Sequence, residues 1–213
     1  MLAFCNNAGP AFIFGMLGSI FSNKYASVLL WIIHIGSALL VGHIYKSTPK
    51  SNRCNIINPK DQNPPIMRST VITMGIICGW IILFRTIIYI LQPLISSHFH
   101  ENSYPLIFGF FELTNGCILL KNIPFESERF VLASALLSMG GLCVGLQTRS
   151  ITGELGFGQY IPGKIVQTCI SVILSYFVCY ILYGSPLKAI PVLLCLTVLI
   201  ATHFIFIKKV VAL

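Results

Sequence analysis

Residues 104–121 (YPLIFGFFELTNGCILLK) decide how many times this chain crosses a membrane. As one straight helix, this segment of 18 residues would reach about 27 Å, barely the thickness of a hydrocarbon core. As a re-entrant hairpin, each leg of about eight residues would reach about 12 Å, close to the bilayer midplane. In both arrangements Glu112 lies near the centre of the bilayer.

The distribution of basic residues favours the hairpin. Cytoplasmic loops carry an excess of Lys and Arg, so the better topology is the one with the larger asymmetry. With the hairpin the flanking basic residues divide nine to four between the two sides, and with a straight crossing they divide eight to five. The nine are Lys46, Lys50, Arg53, Lys60, Arg68, Arg149, Lys164, Lys208 and Lys209, and the four are Lys24, Lys121, Arg129 and Lys188.

Apolar runs on both sides of this segment indicate a membrane protein. Only 20 of 213 residues are charged (14 basic plus 6 acidic), where an average soluble domain carries about 53. Hydrophobic residues make up 55% and the mean hydropathy is +0.83, which excludes a disordered chain, a nucleic-acid-binding domain and most soluble enzymes. We predict an all-α polytopic membrane protein with about five full transmembrane helices plus re-entrant or broken segments, resembling half of a transporter. The predicted spans are 25–45, 69–93, 130–148, 164–183 and 190–207.

The chain divides into three predicted regions. Residues 1–24 form a broken helix with a gate motif. Residues 25–95 hold two transmembrane helices joined by the basic, proline-rich loop 46–68, and residues 96–213 hold the re-entrant segment and three further helices. Only five residues precede the helix-breaking run at the start, so the chain is expected to be the C-terminal part of something longer. The expected partner is a missing N-terminal half or a second copy.

The tip GFFELTNG (109–116) is the first candidate binding site. A carboxylate at the bilayer centre costs several kcal/mol, so Glu112 is expected to face a cavity or a partner, with Thr114 and Asn115 within a turn of it. In the functional interpretation, the tip contacts a substrate or an ion. The alternative is a protonated Glu112 bonded to a neighbouring helix. Arg85 either pairs with Glu112 across the bundle or extends its side chain to the lipid headgroups.

The run NNAGP (6–10) is the second candidate site. An unwound segment before a helix leaves backbone N–H groups that can hold an anion, so Asn6 and Asn7 become candidate ligands; the alternative is a surface loop. At the end of a later span, Gln147 is a third candidate. Arg149 either anchors an anionic substrate or reaches the headgroups.

The remaining polar residues predict neither catalysis nor a metal site. His34 is expected to be a satisfied core histidine, with a proton relay as the alternative. His98, His100 and Glu101 lack a fourth ligand. The eight cysteines form no CxxC pair, and motifs of metalloproteases, hydrolases and phosphate-binding loops are missing from the sequence. We therefore expect no enzyme activity, no cofactor and no metal.

Three stretches, taken in order, resemble one family. They are NNAGPAFIFGMLG (6–18), GFFELTNG (109–116) and SMGGLCVGLQTRSITGELGFGQYIPGKIVQ (138–167). Together they resemble the sporulation integral membrane protein YlbJ family of endospore-forming bacteria, which is related to the nucleoside-recognition, or Gate domain, membrane proteins. The resemblance covers nearly the whole chain and matches the C-terminal half of family members.

The resemblance implies a transporter-like protein of the bacterial cell membrane or outer forespore membrane that moves dipicolinate, a small aromatic dianion, during sporulation. The residues implied for the substrate site are Asn6, Asn7, Glu112, Thr114, Asn115 and Gln147, with Arg149 or Arg85 as the basic group. Two alternatives stay open: a non-transporting structural or assembly protein for spore maturation, and a nucleoside-type carrier. Beyond the lipid bilayer and the organic anion, no nucleic-acid partner is expected.

Overall fold

The structure is a computed structural model that describes residues 2–45, 66–153 and 160–184, with the isolated positions 195, 196, 198 and 199. Over these residues it is helical and contains no strand. The α-helices are α1 (Leu2–Cys5), α2 (Ala26–Ile44), α3 (Ile66–His98), α4 (Tyr104–Phe111), α5 (Leu113–Leu119), α6 (Glu126–Met139), α7 (Gly141–Thr152) and α8 (Tyr160–Tyr183). A π-helical turn (Phe12–Leu17) and 3₁₀ turns at Gly18–Ile20, Glu101–Ser103 and Leu120–Asn122 complete the described elements.

Four stretches of the described chain are long and apolar enough to cross a membrane: α2, α3, α6 with α7, and α8. The prediction of an all-α polytopic membrane protein is therefore confirmed. The helices α3 and α8 begin earlier than expected, at Ile66 and Tyr160 instead of 69 and 164, and α3 continues through Pro93 to His98. The fifth predicted span, 190–207, lies outside the described residues apart from four isolated positions.

Three of these helices, α2, α6 and α8, form the centre of the molecule. Fully buried apolar side chains fill the space between them and the π-helical turn, among them Leu17, Leu30, Phe130 and Leu136. Small polar residues allow close approach of membrane helices, and the central helices use serines in this way. By contrast α3 packs mainly against α7 and the hairpin, and most of its surface faces outward.

The segment 104–119 folds back on itself, so the straight helix considered above does not form. Glu112 joins α4 to α5 with an extended backbone (φ −146°, ψ 120°) that reverses the chain. A Cβ placed on Gly116 would lie 2.4 Å from the Cα of Gly109 and 2.6 Å from the carbonyl oxygen of Pro105. In a straight helix, residues seven apart are separated by about 10 Å. The hairpin therefore forms, and its two glycines let the legs touch.

The predicted straight span 130–148 is broken, which corrects the sequence interpretation. Gly140 and Gly141 have positive φ angles of 75° and 78°, and they divide the span into α6 and α7. A Cβ on Gly141 would lie 2.7 Å from the carbonyl oxygen of Gly109. The break therefore occurs where the tip of the hairpin packs, and only glycine satisfies both the backbone conformation and the close approach.

Candidate functional site

Residues 6–9 interrupt the N-terminal helical region, as the sequence predicts. The helix resumes at Pro10, and the carbonyl oxygen of Gly9 accepts hydrogen bonds from the amides of Phe12 (3.1 Å) and Ile13 (3.3 Å). We call residues 6–9 the unwound segment. Its other polar groups need partners from elsewhere, because they lie between helices that are long enough to span a membrane.

Three helices supply those partners. The ring of His34 on α2 accepts a hydrogen bond at Nε2 from the amide of Ala8 (3.1 Å). The side chain of Asn6 donates to Thr148 Oγ1 on α7 (2.6 Å) and to the Tyr160 hydroxyl on α8 (3.0 Å). The unwound segment is thus held by residues that are distant in the sequence. The amide of Ala8, within the unwound segment, is occupied by His34.

The most unusual member of this cluster is Lys164 on α8. Its side chain is only 5% exposed. Its ammonium donates to the main-chain carbonyl oxygen of Asn6 (2.7 Å) and to Oε1 of Gln167 (3.0 Å), both of which are uncharged acceptors. Among the described residues, no carboxylate forms an ion pair with Lys164. The sequence interpretation counted Lys164 among the flanking charges and did not anticipate that its side chain is buried among the helices.

Gln167 and His34 complete the cluster. Nε2 of Gln167 donates to Oδ1 of Asn7 (3.1 Å) and to the carbonyl oxygen of His34 (3.5 Å). His34 is 2% exposed, and its Nδ1 has no hydrogen-bond partner in the described part of the chain. Because Nε2 accepts the Ala8 N–H, a neutral His34 carries its proton on this unpartnered Nδ1. His34 is therefore only half satisfied, unlike the fully bonded core histidine that the sequence predicts.

A chain of serines continues the polar cluster into the centre of the bundle. Ser138 on α6 donates to Ser171 on α8 (2.5 Å), and Ser171 donates to Ser37 on α2 (2.8 Å). Ser37 in turn donates to the carbonyl oxygen of His34 (2.9 Å). The three central helices are therefore joined by one buried hydrogen-bonded network that ends at the unwound segment.

Glu112 occupies a different environment at the tip of the hairpin. The side chain is 3% exposed, and it caps the N-terminus of α5. One carboxylate oxygen accepts from the Thr114 amide (2.9 Å), and the other accepts from the Asn115 amide (2.9 Å) and Nδ2 (2.8 Å). Three N–H groups of its own hairpin thus satisfy Glu112. Over the described part of the chain, these bonds within the hairpin take the place of the alternative, a bond from Glu112 to a neighbouring helix.

Arg85 and Glu112 do not form the expected ion pair, and among described residues no carboxylate pairs with Arg85. The physical reason is that both carboxylate oxygens of Glu112 turn inward to cap α5. Arg85 instead lines a cleft of about 250 Å³ between α3 and the hairpin, together with Asn115. The cleft is separate from the cluster around Lys164.

Gln147 and Arg149 lie on α7 but outside the cluster. Nε2 of Gln147 is near Sγ of Cys143 (3.2 Å) and donates to the carbonyl oxygen of Ile77 on α3 (3.3 Å). Arg149 is exposed in the last turn of α7. The residue between them, Thr148, is the one that contacts the unwound segment. The predicted residues therefore divide into three places instead of sharing one cavity.

Sequence reasoning missed Lys164 and its neighbours on α8, although a signal for them exists. Five polar residues of this spanning helix recur at intervals of three or four, which places them on one face. All five are buried against the other helices. They are Tyr160, Lys164, Gln167, Ser171 and Ser175. A polar stripe of this kind in an otherwise apolar helix indicates a buried network.

Comparison with known proteins adds no relative. No family model, no curated protein and no solved structure matches the chain. The resemblance to the YlbJ family stays a prediction, and the function proposed below is based on the geometry of the polar cluster around Lys164.

Proposed function

We propose that this chain is a membrane transport protein, or one half of one, that carries a small organic anion. One observation carries the proposal. Lys164 buries a cation between membrane-spanning helices, and its two acceptors in the described residues are neutral oxygens of Asn6 and Gln167.

The energetic cost of this arrangement supports a functional role. A buried charge loses its hydration, and removing one partner from a buried pair costs about 3–5 kcal/mol because the remaining charge stays uncompensated. An ionisable group inside a membrane span is therefore a functional-site hypothesis by default, and a substrate pathway is one of the roles that such groups fill. An anion that reaches Lys164 supplies a negative charge next to the ammonium and so offsets the cost of burying it.

The surrounding residues suit an anion with polar substituents. Asn6 and Asn7 bring carboxamide groups to the same place, and Tyr160 brings a hydroxyl. The carbonyl oxygen of Asn6 belongs to the unwound segment, which is not fixed by helical hydrogen bonds. Exchange of this neutral acceptor for a carboxylate would release the unwound segment from Lys164. Binding of the anion and movement of the broken helix are then one event.

Dipicolinate is the substrate that the resemblance implies, and it fits this chemistry. Its two carboxylates can replace the neutral acceptors of Lys164, and its aromatic ring can lie among apolar residues of the bundle. A role in sporulation, at the cell membrane or the outer forespore membrane, belongs to the same proposal. Charge-assisted hydrogen bonds contribute about 1.5–3 kcal/mol each, which is sufficient for selective binding.

Ligand-dependent stability tests the proposal directly. We expect dipicolinate at a hundredfold excess over its Kd to stabilise the purified protein in detergent by about 2.7 kcal/mol, read as a rise in Tm. Pyridine-2,6-dicarboxamide has the same shape without charge, and it should produce no rise. Lys164→Met should abolish the response to dipicolinate.

The matched control is Lys121→Met. Lys121 is exposed at the end of the hairpin, outside the cluster around Lys164. The Lys121→Met variant should therefore respond to dipicolinate like the wild type. If folded Lys164→Met keeps the wild-type response, Lys164 does not bind the anion and the proposal loses its main support.

A structural or assembly role is the second candidate, and the extent of internal bonding favours it. Asn6, Asn7 and Gln167 bond to other residues of the cluster, as in a network that only fixes helix positions. Reconstituted vesicles separate the two candidates. Dipicolinate uptake that depends on Lys164 supports transport. A loss of stability in Lys164→Met with no uptake or ligand response in the wild type supports the structural role.

A further inference from the structure

The cleft between α3 and the hairpin contains polar groups that the proposed transport site does not use. Its volume is about 250 Å³. The polar residues that line it are Arg85, Gln92 and Asn115, and the apolar ones are Ile88, Tyr89, Phe108, Ile118 and Leu119. None of the lining residues is acidic. A guanidinium with carboxamides beside it and apolar walls around it matches an anionic group attached to an apolar body.

Arg85 determines the kind of anion. Its planar guanidinium can donate two parallel hydrogen bonds to phosphate or carboxylate oxygens, which a lysine cannot do. The carboxylate of Glu112 is bonded to three N–H groups of the hairpin, and Glu112 is not among the residues that line the cleft. The guanidinium is therefore the charged group that a ligand in the cleft would meet.

The position of the cleft favours a lipid over a soluble anion. Tyr89 and Ile118 line it and are 78% and 41% exposed, so it opens on the outer surface of the bundle. Only 11% of the most apolar part of α3 is buried inside the protein. Acyl chains are the natural neighbours of such a helix surface. A ligand approaching from this side comes from the bilayer.

The cleft extends along α3 toward the end of the helix, as a site for a phospholipid headgroup requires. From Arg85 to Gln92 the helix rises by about 10 Å toward its end at His98. Arginine side chains inside a membrane extend toward the interface, where lipid phosphates lie. Tyr104 begins the hairpin beside this end of α3, and its hydroxyl approaches the carbonyl oxygen of Ser96 at 3.5 Å. Tyrosines are enriched at membrane interfaces. We therefore expect the end of the cleft at Gln92, which is nearest to His98, to lie at the level of the lipid headgroups.

We infer that this cleft binds the phosphate of an anionic phospholipid through Arg85 and Gln92, with the acyl chains lying along the outer face of α3. Basic pockets between transmembrane helices bind anionic headgroups in this way. The bound lipid bridges α3 to the hairpin, which otherwise share a limited interface. This site is independent of Lys164 and of the transport proposal.

Native mass spectrometry of the purified, delipidated full chain tests the inference. We expect phosphatidylglycerol to bind the wild type about five- to tenfold more tightly than it binds Arg85→Gln. Phosphatidylcholine should bind the wild type more weakly than phosphatidylglycerol, because its headgroup carries no net charge. Arg68→Gln makes the same change on the same helix, outside the cleft, and should bind like the wild type.

Two competition measurements distinguish binding of the lipid from binding of a free oxyanion. Glycerol phosphate and inorganic phosphate carry the anionic group without acyl chains, and neither should compete with phosphatidylglycerol at millimolar concentration. Competition by either would overturn the lipid assignment. Equal binding of phosphatidylglycerol to Arg85→Gln and the wild type would overturn the site itself.

A second variant keeps the test valid if Arg85→Gln does not fold. Ile118→Trp fills the cleft from the exposed side and leaves Arg85 in place. It should weaken phosphatidylglycerol binding by a similar factor. Undiminished binding in this variant would place the lipid elsewhere and refute the inference.

Discussion

Two interruptions of helical structure, the unwound segment at residues 6–9 and the hairpin tip at Glu112, satisfy their polar groups in opposite ways. Among the described residues, the Glu112 carboxylate bonds to Thr114 and Asn115 of its own hairpin. The unwound segment bonds to α2, α7 and α8, through residues up to 160 positions away. A self-capped turn keeps its geometry when neighbours move. A segment held by other helices must exchange partners when they move, so it is the better candidate for a working part.

This comparison changes the role expected of Glu112. Its carboxylate is the most conspicuous polar group of the sequence, and the sequence suggested a substrate contact. In the structure it acts as the N-cap of a short helix, a role more often filled by Ser, Thr, Asp or Asn. Lys164, which the sequence interpretation counted as a flanking charge, is a buried cation with no carboxylate partner among the described residues.

The strongest test of a self-contained hairpin is Gly116→Ala. The added Cβ would meet backbone atoms of Gly109 and Pro105, and neither can move without opening the hairpin. We expect a loss of about 3 kcal/mol in the free energy of unfolding, measured by thermal denaturation in detergent. Gly75→Ala on α3 is the control, because its Cβ meets nothing within 4 Å. An unchanged free energy of unfolding in Gly116→Ala would mean that the two legs of the hairpin are not in contact.

A smaller effect is expected for Glu112→Gln. The amide retains one acceptor oxygen and turns an NH₂ group toward a backbone N–H, which leaves that buried donor unsatisfied at a cost of about 1–3 kcal/mol. Thermal denaturation measures the loss, and exposed Glu101→Gln serves as the control. Unchanged stability combined with lost dipicolinate binding would restore Glu112 to the substrate site.

A comparable effect is expected for Gln167→Leu, which removes bonds that hold the unwound segment to α8. Lys164 loses one acceptor and Asn7 loses its donor, so we expect local opening of residues 6–9 to become easier by about 1–3 kcal/mol. Hydrogen–deuterium exchange should accelerate in peptides from the unwound segment and stay unchanged in the hairpin. Thr168→Val is the control, because Thr168 bonds only within its own helix. Equal acceleration in both regions would remove the distinction between them.

Local chemistry made part of this fold predictable. The span 25–45 became α2 almost to the residue, since an apolar run of that length has no alternative in a bilayer. The break at 6–10 was predictable from Asn, Gly and Pro, and the hairpin was favoured by the length of its segment and the division of basic residues. The kink at Gly140 was missed, because the sequence around it is apolar enough for one continuous helix. Its cause is the hairpin tip, which packs against Gly141.

The candidate site was predicted less completely. Asn6 and Asn7 were found because polar residues next to a helix break are conspicuous. Tyr160, Lys164 and Gln167 were not, although their spacing on one face of α8 was visible. The face of a helix is a local property, whereas the partner of that face depends on how the bundle is assembled.

Sequence alone was sufficient for the apolar spans, the break at residues 6–10 and the shortage of charge, because hydrophobicity and backbone conformation act over a few neighbouring residues. The tertiary structure alone decided which charges are compensated. Glu112 finds its partners two and three positions away, while Lys164 reaches the carbonyl oxygen of Asn6 across 158 positions of sequence. Electrostatic interactions depend on distance in space, and packing of α8 against the unwound segment brings that buried cation to the broken helix.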